Sequence, residues 1–281
     1  MTQSPHPLGI AHFSCIDVPP VDFVRLAGNI GYSAVGLRLH PAFPGAPFYT
    51  LRSGSPEMRS VKTASRAENV GVYDIEFVVI DPAFSPRTLL PMLESAGELG
   101  ARRLSVCGDD PDEGRFVANL SELADIAGGF GMGVDLEIMP WRHIGSLAAA
   151  AHAVEATGRS NVGVLIDALH LSRSGSRPAA LREIPQALIR SVQLCDAPRR
   201  RPKDKDALIA EARGGRLLPG AGSLPLQGLL SAAPEHAVLS VEVPNRGMPP
   251  EIHAKALFDA TLALFHTDAF DSAHQAIPES S

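Results

Sequence analysis

The stretch that decides the fold is "NVGVLIDALHLSRSG", residues 161–175. Residues 162–166 form an apolar run, which is typical of a strand buried on both faces of a parallel sheet. The run ends at Asp167, and His170 follows three residues later. A carboxylate and an imidazole are costly to bury unless something pairs with them. The stretch therefore indicates a buried strand that ends at a polar site.

Short apolar runs of this kind recur along the chain, and segments with helical spacing lie between them. We predict strands over residues 8–14, 33–39, 71–80, 102–108, 133–139, 162–168, 189–197 and 237–245. Helical spacing is found over residues 57–69, 86–99, 112–128, 146–157 and 250–265. Eight strands alternating with helices favour a single (β/α)8 TIM barrel, a fold of about 250 residues. An open doubly wound sheet is the alternative, although no glycine-rich phosphate loop follows the first strand.

The predicted barrel domain spans residues 1–267, and we expect residues 268–281 to form a disordered tail. Two long loops, residues 40–56 and 197–225, follow the second and seventh strands. In a barrel both loops would lie at the C-terminal face, where such loops build active sites.

Composition limits the class of protein. The net charge is −6 and 45% of the residues are hydrophobic, which argues against general nucleic-acid binding. No apolar stretch approaches the roughly 18 residues of a membrane helix, and the first 20 residues lack the pattern of a secretory signal. Cys15, Cys107 and Cys195 are too few for a disulfide framework. We expect a cytoplasmic protein with a small-molecule partner, without a nucleic-acid or membrane partner, and compatible with a homo-oligomer.

The last four predicted strands carry polar side chains near their carboxyl ends. These are Glu137 on strand five, Asp167 and His170 at strand six, Gln193 and Asp196 at strand seven, and Glu242 on strand eight. In a barrel these ends open onto a common mouth. Converging carboxylates repel one another unless a cation lies between them, and a divalent ion turns them into an oxygen-rich coordination sphere. The pattern therefore predicts a metal that neutralises Asp167.

The segments "LEIMP" (136–140), "DALH" (167–170) and "SVEVP" (240–244) resemble the xylose isomerase-like TIM barrel superfamily, in its branch of sugar phosphate isomerases and epimerases. The resemblance covers residues 8–265. It implies that one divalent metal is bound by four residues, Glu137, Asp167, Gln193 and Glu242. The epimerase pattern usually has histidine at the position of Gln193, and this chain departs from that pattern there.

The oxygen ligands favour Mn²⁺ or Mg²⁺, with Co²⁺ or Zn²⁺ as alternatives. Such an ion acts as a Lewis acid on the carbonyl of a hydroxy ketone. The resemblance implies that Glu137 and Glu242 are the catalytic residues, lie on opposite sides of the substrate and exchange its carbon-bound proton through an enediolate intermediate. We therefore expect a metal-dependent isomerase or epimerase acting on a keto-sugar or related polyhydroxy ketone.

Further polar side chains are candidates for substrate binding. They are His170, His143 on the strand-five loop, Arg199 in the basic loop after strand seven, Asp196, and Glu76 midway along strand three. In the same loop Arg216 is a second arginine suited to an anionic or polyhydroxy substrate. Trp141 and Phe43 are candidates for an apolar wall. Each of these residues also has a purely structural interpretation, as a surface charge or a packed core side chain.

Other functions share the predicted metal site. A lyase is the main alternative, either a dehydratase of an inosose or dehydroshikimate, or an enzyme that performs elimination from an oxidised glycoside. A barrel that binds ligands without catalysis is the third hypothesis. An enzyme like endonuclease IV would need several zinc ions and many histidines, whereas only His170 lies in the expected neighbourhood.

Overall fold

The computed structural model describes residues 7–274. Its strands are β1 (Leu8–Ile10), β2 (Ala34–Leu37), β3 (Gly71–Ile80), β4 (Arg103–Gly108), β5 (Gly133–Glu137), β6 (Val162–Asp167), β7 (Ile189–Leu194) and β8 (Val238–Val241). Each strand pairs in parallel with the next, and β8 pairs with β1 to close the barrel. The predicted (β/α)8 barrel is confirmed. Closure excludes the open-sheet alternative.

Helices lie between the strands and cover the barrel. They are α1 (Pro20–Ile30), α2 (Pro56–Glu68), α3 (Leu90–Leu99), α4 (Glu113–Gly129), α5 (Leu147–Thr157), α6 (Ala168–Arg173), α7 (Lys205–Gly214), α8 (Leu226–Ala232) and α9 (Pro250–His274). The predicted loop 197–225 contains α7. The predicted helix over 86–99 begins as a 3₁₀ turn, Pro86–Leu89, before α3.

Local sequence signals explain where several helices begin and end. The Ser55 and Ser146 hydroxyls accept hydrogen bonds from backbone N–H groups at the starts of α2 and α5, which is the usual role of serine at a helix N-terminus. Gly100 ends α3 with a φ of 75°, a left-handed conformation that glycine adopts without a steric penalty. These ends set the short connections that return the chain to each next strand.

The strands that carry the predicted site are deeply covered. Every residue of β5 and β6 is buried, as expected for parallel strands enclosed by helices on the outside and by side chains inside. This burial explains why β6 is apolar up to Asp167, whereas β5 carries two buried carboxylates, Asp135 and Glu137. It also means that a polar side chain at the end of either strand is held in a fixed position.

The barrel interior also contains a layer of polar side chains below the mouth. Its residues Asp74 and Asp135 lie two positions before Glu76 and Glu137 on the same strands. Asp74 on β3 accepts a hydrogen bond from the Ser105 hydroxyl at 3.0 Å. Asp135 on β5 forms an ion pair with Arg103 and accepts a hydrogen bond from Ser191 at 3.3 Å. Burial raises the pKa of Asp74 to about 7, and the neighbouring Asp135 charge adds to this increase.

Residues 275–281 of the predicted tail lie outside the described residues, and the boundary at residue 267 stays a prediction. Among the described residues, the structure contains no helix that is both long enough and apolar enough to span a bilayer.

Candidate active site

The carboxyl ends of β5 and β6 bring together three side chains of types that bind metals. Glu137 is the last residue of β5, Asp167 is the last residue of β6, and His170 lies in α6. Each offers one ligand atom, these atoms lie within 4.8 Å of one another, and all three residues are buried. His170 Nε2 is 3.5 Å from Glu137 Oε1. The structure therefore places His170 inside the cluster, where its imidazole is available as a ligand.

Asp167 combines a structural and an electrostatic role. Its Oδ1 accepts a hydrogen bond from the His170 backbone N–H at 2.9 Å and so caps the start of α6. Its Oδ2 lies 2.5 Å from Arg216 Nη1. The cap fixes the carboxylate at the strand end, and the ion pair compensates part of the cost of burying its charge.

Arg216 joins the ends of two strands across the mouth. Its Nη2 lies 3.0 Å from Glu242 Oε2, just after β8, while Nη1 contacts Asp167 at the end of β6. Its Nε donates to the carbonyl of Ala212 at 3.0 Å, which ties the guanidinium to the end of α7. The side chain is almost fully buried. A positive charge therefore lies between two carboxylates that the sequence predicts as metal ligands.

Asp196 positions the loop that carries Arg216. Its carboxylate accepts hydrogen bonds of 2.8–3.1 Å from the backbone N–H groups of Ala197, Gly220, Gly222 and Leu224. Its backbone pairs with Leu217 in an isolated antiparallel bridge. The structure thus gives Asp196 contacts within the loop, and it does not line the mouth cavity.

Burial and charge act in opposite directions on the cluster. Burial, together with the charges of Asp167 and Glu242, raises the pKa of Glu137 well above its usual range. Burial also raises the pKa of Glu242 to about 7, although Arg216 opposes this shift. Burial works against the charge on Asp167 too, but Arg216 and His170 together outweigh it and hold the pKa of Asp167 below its usual value. Ionising all three carboxylates would therefore place more negative charge in the cluster than Arg216 alone stabilises.

The donor set fits a divalent metal ion. Burial lowers the pKa of His170 to about 4, so its imidazole is neutral at pH 7, the form that binds metals. The Nδ1 atom of His170 is buried without a hydrogen-bond partner. Gln193 on β7 is buried and in register with Asp167. Carboxylate and amide oxygens with one imidazole suit Mn²⁺ or Mg²⁺, and the imidazole also suits Zn²⁺.

A cavity opens above this cluster. The cluster side chains Glu137, His170 and Glu242 form its base. Its walls are aromatic and cationic, with Phe13, Phe43, Phe77 and Trp141 beside Arg38, Arg142, Arg213 and Arg216. Trp141 packs edge-on against the His170 ring, with 5.0 Å between ring centroids. The predicted wall residues Phe43 and Trp141 both line the cavity.

Besides Asp196, three predicted substrate contacts lie outside the cavity lining. Glu76 is buried and its carboxylate accepts hydrogen bonds from the backbone N–H groups of His12 and Phe13. His143 is exposed and its backbone N–H donates to Asp109. Arg199 is exposed in the loop after β7.

Three arginines of the cavity were not singled out from the sequence. Arg38 interrupts the apolar run "VGLRLHP" at the end of the second strand, and this interruption is a detectable signal. Arg142 is next to the predicted His143. Arg213 lies over the Phe43 ring, with its guanidinium carbon 3.8 Å from the ring centroid. That contact joins the two long loops, which no local sequence pattern predicts.

Comparison with known proteins identifies the family. A family model described as xylose isomerase-like TIM barrel matches residues 24–264. The 3-dehydroshikimate dehydratase of Pseudomonas putida is 29% identical over 159 residues, 53% of this chain and 24% of that protein. The enzyme of the same name from Pseudomonas aeruginosa is 28% identical over the same length. The match thus spans about a quarter of the length of these curated relatives.

Solved structures share the fold. A xylose isomerase-like TIM barrel/4-hydroxyphenylpyruvate dioxygenase fusion protein superposes with a TM-score of 0.79 at 21% identity, over 99% of this chain and 45% of that one. The IolI protein, whose structure contains a bound zinc atom, gives a TM-score of 0.74 at 18% identity, over 93% and 98% of the two chains. An L-ribulose 3-epimerase gives 0.72 at 14% identity, over 98% and 100%.

Proposed function

Because the chain belongs to the xylose isomerase-like TIM barrel family, a fold family that comprises enzymes, we propose that it is a divalent-metal-dependent lyase that dehydrates a hydroxy ketone of the dehydroshikimate type. The observation that carries the proposal is the buried cluster of Glu137, Asp167 and His170, with Glu242 alongside, at the base of an aromatic-walled cavity. The names of the two curated relatives support dehydration as the outcome.

The proposed metal ligands are Glu137, Asp167, Gln193 and Glu242, and His170 is a further candidate. When bound there, a divalent ion supplies a Lewis acid that polarises the substrate carbonyl. The cost of ionising three buried carboxylates beside one guanidinium supports this assignment, since a buried carboxylate needs a compensating cation. Manganese or magnesium is the proposed ion, with cobalt or zinc as alternatives.

Proton transfer falls to Glu137 and Glu242 in this proposal. One carboxylate removes the proton from the carbon next to the carbonyl. The hydroxyl on the following carbon then leaves with a proton as water, and a carbon–carbon double bond forms between the two carbons. Elevated pKa values suit both residues to this exchange near neutral pH.

An isomerase or epimerase is the second candidate. Glu137 ends β5 and Glu242 directly follows β8, and these two strands are not neighbours in the barrel. Carboxylates that approach a substrate from different strands suit removal of a proton from one face and its return to the other. The proposed substrate would then be a keto-sugar, and no water would be lost.

The experiment that tests the proposal uses purified protein stripped of metal and reloaded with Mn²⁺. It is mixed with 3-dehydroshikimate, and the ultraviolet absorbance of the aromatic product is recorded. We expect metal-dependent product formation, and a loss of about 10²-fold or more in Glu137→Gln. Glu122→Gln, a change of an exposed glutamate, is the matched control.

Two outcomes would redirect the assignment. Conversion of a keto-sugar to its epimer, with dehydroshikimate unchanged, would favour the second candidate. Full activity in both Glu137→Gln and Glu242→Gln would reject the proposed roles of these carboxylates in either reaction.

A further inference from the structure

We infer that Arg38 and Arg142 form a carboxylate-binding subsite in the mouth cavity, so that the substrate is a ring that carries a carboxylate as well as the reacting hydroxy ketone. The inference deepens the proposed function and rests on it for the location of the reacting part of the substrate. It is carried by two buried guanidinium N–H groups without partners that belong to residues lining one cavity.

Arg38 is a buried, firmly packed residue of the cavity wall. Its side chain is 2% exposed, and it is the largest of the fully buried side chains of the described residues. Its guanidinium carbon lies 4.4 Å from the centroid of the Phe13 ring and 5.7 Å from that of Phe77. Such contacts stabilise a cation and fix its plane. The Nε atom is nevertheless buried without a hydrogen-bond partner.

Glu76 positions Arg38 but does not accept hydrogen bonds from all the N–H groups of its guanidinium. Arg38 Nη2 donates to Glu76 Oε2 at 3.4 Å. The same carboxylate accepts the His12 and Phe13 backbone N–H groups at 2.6 and 3.3 Å. Its capacity is thus shared among three donors from two segments of the chain. We assign Glu76 as a positioning residue, which holds Arg38 from behind and leaves Nε free.

Arg142 repeats this arrangement on the loop after β5. Its Nη1 donates to Asp109 Oδ2 at 2.9 Å, and its side chain is 14% exposed. Its Nε is also buried without a hydrogen-bond partner. The pKa of Arg213 is lowered mainly by burial and further by the positive charge of nearby Arg142. Positive charge is therefore concentrated in the wall formed by the strand-five loop and α7.

The chemistry of these donors selects the ligand class. A buried N–H donor of a charged group without an acceptor is costly, and an anionic acceptor removes that cost. Two unpaired donors match the two oxygens of a carboxylate. Phe13, Phe77 and Trp141 supply an aromatic lining, which suits a ring better than an open-chain polyol. A carboxylated ring satisfies both features of the cavity.

The test measures binding separately from catalysis. Shikimate has a six-membered ring, hydroxyl groups and a carboxylate but no ketone, and its methyl ester lacks the charge. Trp141 is the only tryptophan of the chain and lines the cavity, so its fluorescence reports occupancy. We expect shikimate to bind the chain of residues 1–281 at least about tenfold more tightly than its methyl ester.

Variants assign that preference to residues. Arg142→Met should remove the preference for the acid, and Arg38→Lys, which keeps the charge but loses the Nε–H, should reduce it. Arg87→Met changes an arginine whose side chain is 78% exposed and should leave both affinities unchanged. Thermal melting confirms that each variant is folded. If Arg38→Lys does not fold, Arg142→Met alone decides.

The outcomes separate this inference from the proposed function. Equal affinity for acid and ester in the unmodified protein, or an unchanged preference in Arg142→Met, would overturn the subsite even if dehydration is observed. A preference that depends on Arg142 in a protein without dehydratase activity would uphold the subsite and reject the reaction.

Discussion

Arg216 and Asp167 form a buried ion pair with 2.5 Å between Nη1 and Oδ2, although they are 49 residues apart in the chain. The same guanidinium reaches Glu242 through Nη2. Arg216 thus contacts two of the carboxylates proposed to hold the metal. A metal ion and Arg216 compensate the same negative charge, so the two should partly substitute for one another.

Replacement of Arg216 by methionine should therefore destabilise the protein most when metal is absent. Loss of one partner of a buried ion pair costs about 3–5 kcal/mol, and a bound cation would recover part of that cost. We expect Mn²⁺ to raise the melting temperature of Arg216→Met more than that of the unmodified protein. Calorimetry with EDTA and with excess Mn²⁺ measures this difference.

Arg159→Met is the control for this prediction, because Arg159 pairs with Asp125 at an exposed position. It should show the same response to Mn²⁺ as the unmodified protein. If Arg216→Met is destabilised equally with and without metal, Arg216 and the metal do not share their ligands.

Asp196 should be essential for the loop that delivers Arg216. Its carboxylate accepts four backbone N–H groups, and Asp196→Ala would leave buried donors unpaired. We expect a loss of at least about 3 kcal/mol in the free energy of unfolding, and a smaller loss in Asp196→Asn, which keeps one acceptor oxygen. Urea denaturation measures both. Equal losses in the two variants would argue that volume, rather than hydrogen bonding, is what Asp196 supplies.

The sequence predicted the site elements that follow the strand pattern. Each of Glu137, Asp167, Gln193 and Glu242 lies in a strand or within one residue of its end, so the order of the strands alone predicts that they share one end of the barrel. The position of Asp196 near a strand end did not reveal its orientation. It follows the last residue of β7 by two positions, where the chain leaves the ladder and its side chain turns into the loop.

Arg216 was predicted as a candidate for substrate binding, but its ion pairs with Asp167 and Glu242 were not predicted. Arg38 was not predicted at all, and both cases have a physical reason. Arg216 reaches the mouth only because a helix, an isolated bridge and a carboxylate fold a long loop back over the barrel. Those contacts are between residues distant in sequence. The partner of Arg38 is Glu76 on the adjacent strand β3, and pairing of side chains across strands depends on a register that a single sequence does not specify.

Stability should depend on pH through Asp74 in the barrel interior. Its pKa is about 7 in the folded protein, raised mainly by burial, against 3.8 for an ordinary aspartate. Between about pH 4 and pH 7 the unfolded chain loses this proton while the folded protein keeps it. The free energy of unfolding should therefore fall as pH rises through this window, by up to about 1.4 kcal/mol per pH unit from this group.

Asp74→Asn should remove the pH dependence that Asp74 adds to the free energy of unfolding. As pH rises, the variant should therefore become more stable relative to the unmodified protein. Three other carboxylates act on Asp74 or titrate with it, namely Asp135, Glu76 and Glu242, and Arg103 acts through Asp135. The informative quantity is therefore the difference in the free energy of unfolding between the variant and the unmodified protein. Urea denaturation measures it at pH 5 and at pH 8. A difference that is the same at both values would show that Asp74 is already ionised in the folded state.

Gly36 on β2 should be intolerant of even a methyl group, because of what lies beside it inside the barrel. A Cβ at this position would overlap the carboxylate of Glu76 and lie 2.7 Å from Asp74 Oδ1. Since Glu76 holds Arg38, Gly36→Ala should both destabilise the fold and weaken the preference for shikimate over its methyl ester. Gly129→Ala is the matched control, because a Cβ at the end of α4 meets no atom within 4 Å and alanine favours helix by up to about 1 kcal/mol. A lower melting temperature and a weaker preference for shikimate, measured by tryptophan fluorescence titration, are expected only for Gly36→Ala. If Gly36→Ala is destabilised but keeps the full preference, Glu76 does not position Arg38 for binding.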